Sequence, residues 1–281
     1  MSRWLPDARR LVLGVDRQSM AWRDGSAANG VRYLDYLGST QLAAPVRQPL
    51  GQPPGGSTGQ RTRAEVFAGC DLAVYWVQSP PTALASFAEL RLVAQSHCAY
   101  LYGGAAGDWQ VAADWQAGRP FVCAALPSRT VSEVDRLLTA RGVRARWHTV
   151  WSSLVGHWPG LFPDDGWCVL RSATRLLVWC CRAGLVRCLA NLPVVRAGSG
   201  SDAQAQARQW AKVESVRLGQ PAPDQLHWLD LGGSRAGGTA AGVGIRTLTL
   251  PGTVGGSDKV DGTDEAGVAL ALGLRLQGAG A

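Results

Sequence analysis

Short apolar stretches separated by polar, turn-forming residues occur near the start of the chain, which is a pattern typical of β-strands. Three such stretches, at 11–15, 19–24 and 30–38, are separated by turn-forming residues and predict a three-stranded meander. A second set of three stretches opens the other half of the chain and covers 166–194. The pattern therefore predicts two halves of similar architecture.

The segment between the two meanders combines helix and strand patterns. Residues 61–70 predict a short helix that leads into a strand at 71–78. Two segments, 82–101 and 128–143, place apolar residues at helical spacing. We therefore expect residues from about 79 to 145 to form a small subdomain inserted into the first half.

The second half continues with helices and strands in alternation. Four further elements are predicted there: a helix at 202–219, strands at 225–233 and 244–252, and a closing helix at 264–277. Mixed strands and helices in two similar halves are typical of an α/β protein. We place the first lobe at 1–165 and the second at 166–281.

Charge and composition narrow the function classes. The formal net charge is +7. The arginines of the second meander have two interpretations: they lie on the solvent-exposed face of its sheet, or they attract nucleic acid, anionic lipid or an acidic partner. The chain lacks the basic helix and interleaved aromatic residues of nucleic-acid-binding modules, so we expect no nucleic-acid partner. Its longest uncharged stretches contain too many polar residues for a membrane span.

The cysteine and histidine residues do not form a recognisable reactive group. The seven cysteines lie on apolar stretches, as reduced core cysteines of a cytoplasmic protein do. Cys180, Cys181 and Cys188 lack the spacing of a zinc site, so we expect no metal site. The four histidines lie in different elements without a catalytic motif, and we assign no catalytic residue.

Four segments carry a resemblance to a known family. They are LVLGVDRQSMAWRDG at the start, residues 108–154, WCVLRSATRLLVWCCRAGLVRCL in the second half, and LDLGGS with EAGVALALGLRL at the end. In this order they resemble the actin-like ATPase superfamily, and within it PilM of type IV pili and the cytoplasmic domain of GspL of type II secretion. The resemblance implies a two-lobed, actin-like fold, a duplicated ribonuclease H-like architecture with a small subdomain inserted in the first lobe.

The resemblance also implies an ATP site between the lobes, built from two β-hairpins and a glycine pair. Arg17 and Gln18 stand where the first hairpin of the family has glycine, and Leu170 or Arg171 stands where the second has an aspartate and a glycine. Arginine donates hydrogen bonds and cannot hold Mg²⁺. We therefore predict a degenerate nucleotide pocket, with no cofactor as the expected state and ATP as the possible ligand. The residues that still match the family's site are Asp16, Gly232, Gly233 and Ser234.

By this resemblance the protein is a cytoplasmic scaffold and pseudo-ATPase, held at the inner membrane by a partner. The partner implied is the cytoplasmic tail of a bitopic, PilN-like assembly protein, bound beside the insertion. The alternative is an active ATP-dependent ATPase or kinase, which Asp16 and the LGGS turn favour. Tryptophan is a preferred anchor in interfaces. Candidate anchors near the insertion are Trp109, Trp115, Trp147, Trp151 and Trp158.

Overall fold

The computed structural model describes residues 11–17, 19–24, 32–35, 63–82, 86–140, 142–158, 160–194, 200–231, 244–248 and 272. The predicted closing helix at 264–277 lies outside these residues except for Leu272. The described strands are β1 (Leu11–Val15), β2 (Ser19–Asp24), β3 (Arg32–Asp35), β4 (Arg63–Ala68), β5 (Val74–Gln78), β6 (Trp109–Ala113), β7 (Phe121–Pro127), β8 (Arg144–Thr149), β9 (Gly166–Arg171), β10 (Arg175–Arg182), β11 (Leu185–Pro193), β12 (Leu226–Asp230) and β13 (Ile245–Thr247). The described α-helices are α1 (Phe87–Tyr102), α2 (Ser128–Thr139), α3 (Val150–His157) and α4 (Gly200–Arg217).

The first sheet has the strand order β3-β2-β1-β4-β8. Its first three strands pair antiparallel, which confirms the predicted meander, and β4 then runs parallel to both β1 and β8. The prediction of a short helix at 61–70 is therefore wrong. Strand β4 is central, and Ala64, Val66, Phe67 and Ala68 are buried in it. A central strand covered on both faces loses the alternation that marks a half-exposed strand.

A separate three-stranded sheet, in the order β5-β7-β6, forms the inserted subdomain together with α1. Leu90, Ala94 and Cys98 of α1 pack against this sheet. The small sheet begins at Val74, whereas the sequence placed the start of the insertion near residue 79. The sequence of β5 indicates a strand, but it does not indicate which of the sheets this strand joins.

The second large sheet has the order β11-β10-β9-β12-β13. Strands β9, β10 and β11 pair antiparallel, as predicted, and β12 joins β9 in parallel. Helix α4 packs on one face through Ala203, Ala207 and Ala211. These alanines lie four residues apart on one side of the helix, and their small side chains let it approach the sheet closely.

The other face of the second sheet joins the core of the first lobe. Trp179 of β10 is 1% exposed, and its ring lies 4.6 Å from that of Trp151 in α3 and 4.8 Å from that of Phe162, measured between centroids. The Nδ2 of Asn191 in β11 also donates hydrogen bonds to two first-lobe carbonyls, Cys70 O at 2.6 Å and Ala73 O at 3.0 Å. The two lobes therefore share one apolar core, and the hydrogen bonds of Asn191 join them as well.

Candidate functional site

The described residues include parts of both hairpins of the predicted nucleotide pocket. Asp16 follows β1 directly and is 5% exposed. The backbone N–H of Arg17 donates to Asp71 Oδ2 at 3.3 Å. This N–H of the turn therefore already has a carboxylate partner within the protein. Gly232, Gly233 and Ser234 lie outside the described residues.

The second hairpin holds an ion pair in place of a metal-linked carboxylate. Arg171 and Asp230 end the parallel strands β9 and β12 as register partners, so their side chains lie on the same face. The guanidinium Nη1 of Arg171 lies 3.2 Å from Asp230 Oδ2, and the backbone N–H of Leu231 donates to Arg171 O at 2.8 Å. The pair places a guanidinium at the position where the resemblance implies a carboxylate, and this guanidinium engages the neighbouring carboxylate of Asp230.

The residues therefore do not fit Mg²⁺-ATP at the second hairpin. A guanidinium has no acceptor atom for a metal or its water ligands. Within the part of the chain that the structure describes, no three His, Cys, Asp or Glu side chains come together in a metal-binding group. Sequence reasoning identified Arg171 but missed Asp230, because the β9–β12 register alone brings the two residues together.

A candidate site is formed by a cleft of about 640 Å³ beside the small sheet. One wall comes from β6 and β7, another from the end of β8 and from α3, and the third from the turn between β10 and β11. The apolar side chains that line it include Val111, Phe121, Val122, Leu126, Trp147, Trp151, Val155, Leu185 and Val186. The cleft thus touches the insertion, the first lobe and the second lobe.

The wall formed by β8 and α3 is held rigid by hydrogen bonds. The Nε2 of His148 lies 2.5 Å from Glu65 Oε2, and the His148 ring stacks on Phe67. Thr149 caps α3, since its Oγ1 accepts from the backbone N–H of Ser152 at 3.1 Å. The site therefore offers a preformed apolar surface with a histidine–carboxylate pair at its side.

The wall formed by the insertion ends in a polar rim. Arg119 donates through Nε to Gln116 Oε1, and Gln116 donates through Nε2 to Asp114 Oδ2. Among the described residues, β6 pairs with β7 alone, so it is the edge strand of the small sheet. An edge strand beside an apolar cleft offers main-chain hydrogen-bonding groups to an extended chain.

The wall formed by the second lobe is a tight hairpin turn. Ala183 and Gly184 both have positive φ, at 51° and 69°. The turn is tied to the segment between the lobes, because the N–H of Ala183 donates to Asp165 Oδ1 and the N–H of Gly184 donates to Asp164 O, both at 3.0 Å. The third wall therefore has a fixed position relative to the first lobe.

The predicted tryptophan anchors divide into two groups. Trp147 and Trp151 line the cleft, the first held by an Nε1 hydrogen bond to Asp135 Oδ1 at 2.9 Å. Trp109 donates instead to Gly103 O at the end of α1, and Trp115 packs under the guanidinium of Arg91. Trp158 packs against the shared core. Trp147 on β8 therefore remains a candidate for contacts in the cleft, whereas Trp151 on α3 is only 7% exposed.

The two meandering sheets, the shared core and the subdomain inserted in the first lobe define a two-lobed actin-like fold, as predicted. A chain of the PilM-PilN type IV pilus biogenesis complex is similar over 96% of this chain and 99% of its own, with 13% identity and a TM-score of 0.53. No family model and no curated protein matches the sequence.

Two other solved structures show weaker similarity. One is the cytoplasmic domain of EpsL, an inner membrane component of the type II secretion system of Vibrio cholerae, at 10% identity, a TM-score of 0.47 and 95% coverage of both chains. The other is a Bacteroides thetaiotaomicron protein with an actin-like ATPase fold, at 7% identity, a TM-score of 0.46 and coverage of 79% of this chain and 81% of that one. Within the described residues, no helix has the length and apolarity to cross a membrane.

Proposed function

We propose that the protein is a non-catalytic scaffold of a type IV pilus or type II secretion assembly, and that its cleft holds the cytoplasmic tail of a bitopic, PilN-like membrane protein. The observation that carries the proposal is the cleft of about 640 Å³ next to the edge strand β6. The similar fold in a PilM-PilN complex supports this class of partner. In this role the protein acts in the cytoplasm and is peripheral to the inner membrane.

The cleft suits an extended segment with apolar side chains. A chain laid along β6 gains main-chain hydrogen bonds, while every second side chain points into the cleft. There it meets Trp147 and Val155, whose apolar surfaces give the segment its affinity. The polar rim at Asp114 and Arg119 lies at the edge of the cleft and contributes orientation more than affinity.

The same proposal includes the loss of ATP chemistry. Arg171 is paired with Asp230, so an incoming Mg²⁺-ATP meets a guanidinium at the second hairpin and a neighbouring carboxylate that is already engaged in an ion pair. A lost carboxylate ligand and an added fixed cation both oppose metal binding. We therefore expect no hydrolysis of ATP.

Peptide binding is tested with synthetic peptides that span the cytoplasmic tails of membrane proteins encoded beside this gene, by fluorescence anisotropy. Val155 is 39% exposed in the cleft, so Val155→Asp leaves the core intact and places a charge against the bound segment. We expect Kd to rise at least about ten-fold, which corresponds to roughly 1.4 kcal/mol. The matched control is Val216→Asp, an exposed valine on α4 away from the cleft, which leaves Kd unchanged.

The result that contradicts docking in the cleft is a tail that binds wild type and Val155→Asp equally well. If no tail binds, the scaffold proposal loses its basis.

Nucleotide binding is tested separately by calorimetry with Mg²⁺-ATP. We expect no heat of binding at micromolar concentrations. Micromolar affinity that Asp16→Ala abolishes supports the alternative, an active ATPase or kinase.

A further inference from the structure

Three exposed arginines lie at one edge of the first sheet. Arg63 begins β4, and Arg144 and Arg146 lie on β8, which is the last strand of this sheet among the described residues. All three residues are exposed. None of them lines the cleft, so the apolar contacts proposed there do not account for them.

The strand register places these arginines on one face of the sheet. In the parallel pairing of β4 with β8, Arg63 is the register partner of Arg144, and Glu65 is the register partner of Arg146. Neighbouring strands lie about 4.8 Å apart, and residues two apart on a strand point to the same face. The four side chains therefore form one patch, the arginine patch, in which three residues are basic and one is acidic.

The positive charges of the arginine patch have no partner in the described structure. The ion pairs formed among the described residues include none of its three arginines. Glu65, the acidic residue of the patch, is paired with His148 Nε2 at 2.5 Å. Like charges directly opposite each other on paired strands are destabilising. Arg63 and Arg144 therefore carry an electrostatic cost that a bound anion relieves.

We propose that the arginine patch binds acidic residues of the same partner segment that occupies the cleft, an inference that rests on the function proposed above. The patch and the cleft are continuous along β8, because His148 lines the cleft and lies on the same face as Arg146 and Arg144. At about 3.3 Å per residue, Arg146 lies roughly 7 Å and Arg144 roughly 13 Å from His148 along the strand. An extended segment that leaves the cleft along β8 meets these arginines with its second and fourth residues.

The size of the arginine patch favours a peptide over a membrane surface. The patch is two strands wide, and Glu65 lies inside it beside Arg146. Anionic bilayers attract clusters of about four to eight basic residues. A single carboxylate, in contrast, matches the fork of one guanidinium group. The partner segment is therefore expected to carry acidic residues next to its apolar part.

Titration of the isotope-labelled full chain with hexaglutamate, followed by NMR, tests the patch without the partner. We expect binding that weakens as NaCl is raised from about 20 to 300 mM, because salt screens exposed charges. In the double variant Arg63→Glu/Arg144→Glu, two attractive pairs become repulsive, so we expect Kd to rise at least about five-fold. Both positions are exposed, and circular dichroism checks that the variant is folded.

Three matched variants separate binding from other effects. Arg63→Lys/Arg144→Lys keeps both charges and is expected to bind hexaglutamate nearly as well as wild type. Lys212→Glu/Arg246→Glu changes the net charge equally at exposed positions of the second lobe and leaves Kd unchanged. Arg63→Gln/Arg144→Gln removes the charge conflict, so we expect weaker binding without a lower urea midpoint. A structural role of the two arginines predicts a lower midpoint instead.

The outcomes that overturn the proposal differ from those that overturn the proposed function. A lack of hexaglutamate binding overturns it, as does an equal Kd for wild type and Arg63→Glu/Arg144→Glu. Binding to phosphatidylglycerol vesicles without binding to hexaglutamate overturns it in favour of a membrane surface. A tail peptide that Val155→Asp weakens and Arg63→Glu/Arg144→Glu does not weaken also overturns it, while the proposed function stands. If no tail binds, the proposed function fails, and the hexaglutamate titration still decides whether the patch binds acidic peptides.

Discussion

Replacing Trp179 by alanine tests whether the two lobes share one core. Trp179 is 1% exposed in β10, and its ring meets Trp151 from the first lobe at 4.6 Å and Phe162 at 4.8 Å. Both ring pairs are T-shaped, with interplanar angles of 89° and 76°. The substitution therefore removes apolar burial and two aromatic contacts at the place where the lobes join.

The expected loss follows from these contacts. A buried tryptophan or phenylalanine replaced by alanine costs about 3 to 5 kcal/mol, which already includes roughly 0.5 to 1.5 kcal/mol for each aromatic pair. That is a large part of a typical free energy of unfolding of about 5 to 15 kcal/mol. With a urea dependence of about 3 kcal/mol per molar, the unfolding midpoint falls by roughly 1 to 2 M.

Urea unfolding followed by circular dichroism at the helix band measures the change without depending on tryptophan fluorescence. The control is Trp210→Ala, which removes a partly buried ring of α4 that packs on Trp167 inside the second lobe, at 6.0 Å between centroids. We expect a smaller loss of about 1 to 2 kcal/mol for the control. An effect of Trp179→Ala no larger than that of the control refutes the shared core. The shared core is also refuted if the protein unfolds in two steps and Trp179→Ala shifts the midpoint of only one of them.

Two further predictions concern ionisable groups. Burial raises the pKa of Cys98 to about 11 and that of Cys123 to about 12, so in the native protein at pH 8 these two thiols stay protonated and react slowly with a thiol reagent. We expect all seven cysteines to react after denaturation. Rapid reaction of Cys98 and Cys123 in the native protein contradicts this prediction. Burial, and then the charge of Arg246, lower the pKa of His227 below its ordinary value. The unfolded chain then binds a proton more readily than the native one, so His227 contributes stability above about pH 6.5 that is lost as pH falls. Urea unfolding of wild type and His227→Gln at pH 7.5 and 5.5 measures this, and equal pH dependence of the two proteins is the contrary outcome.

Local patterns in the sequence were sufficient for strands that are joined by short turns and for an amphipathic helix. The antiparallel meanders at β1–β3 and β9–β11 were predicted, because short strands separated by turn residues pair with their neighbours in sequence. Helix α2 was predicted for a similar reason, since Val131, Val134 and Leu138 form one buried stripe. In these cases each element follows its neighbour directly in the sequence, so a local pattern contains the information needed for the structure.

Pairing between distant segments determined what the sequence could not. Strand β4 was mistaken for a helix because it pairs with β1 and β8, which lie far from it in the sequence, so no neighbouring turn marks it as a strand. Asp230 joins Arg171 through the parallel register of β12 and β9, and Trp151 meets Trp179 through the packing of the lobes. The cleft is likewise formed by segments from three parts of the chain. A linear pattern specifies which face of each element is apolar, whereas the register and packing between elements decide which side chains share a site.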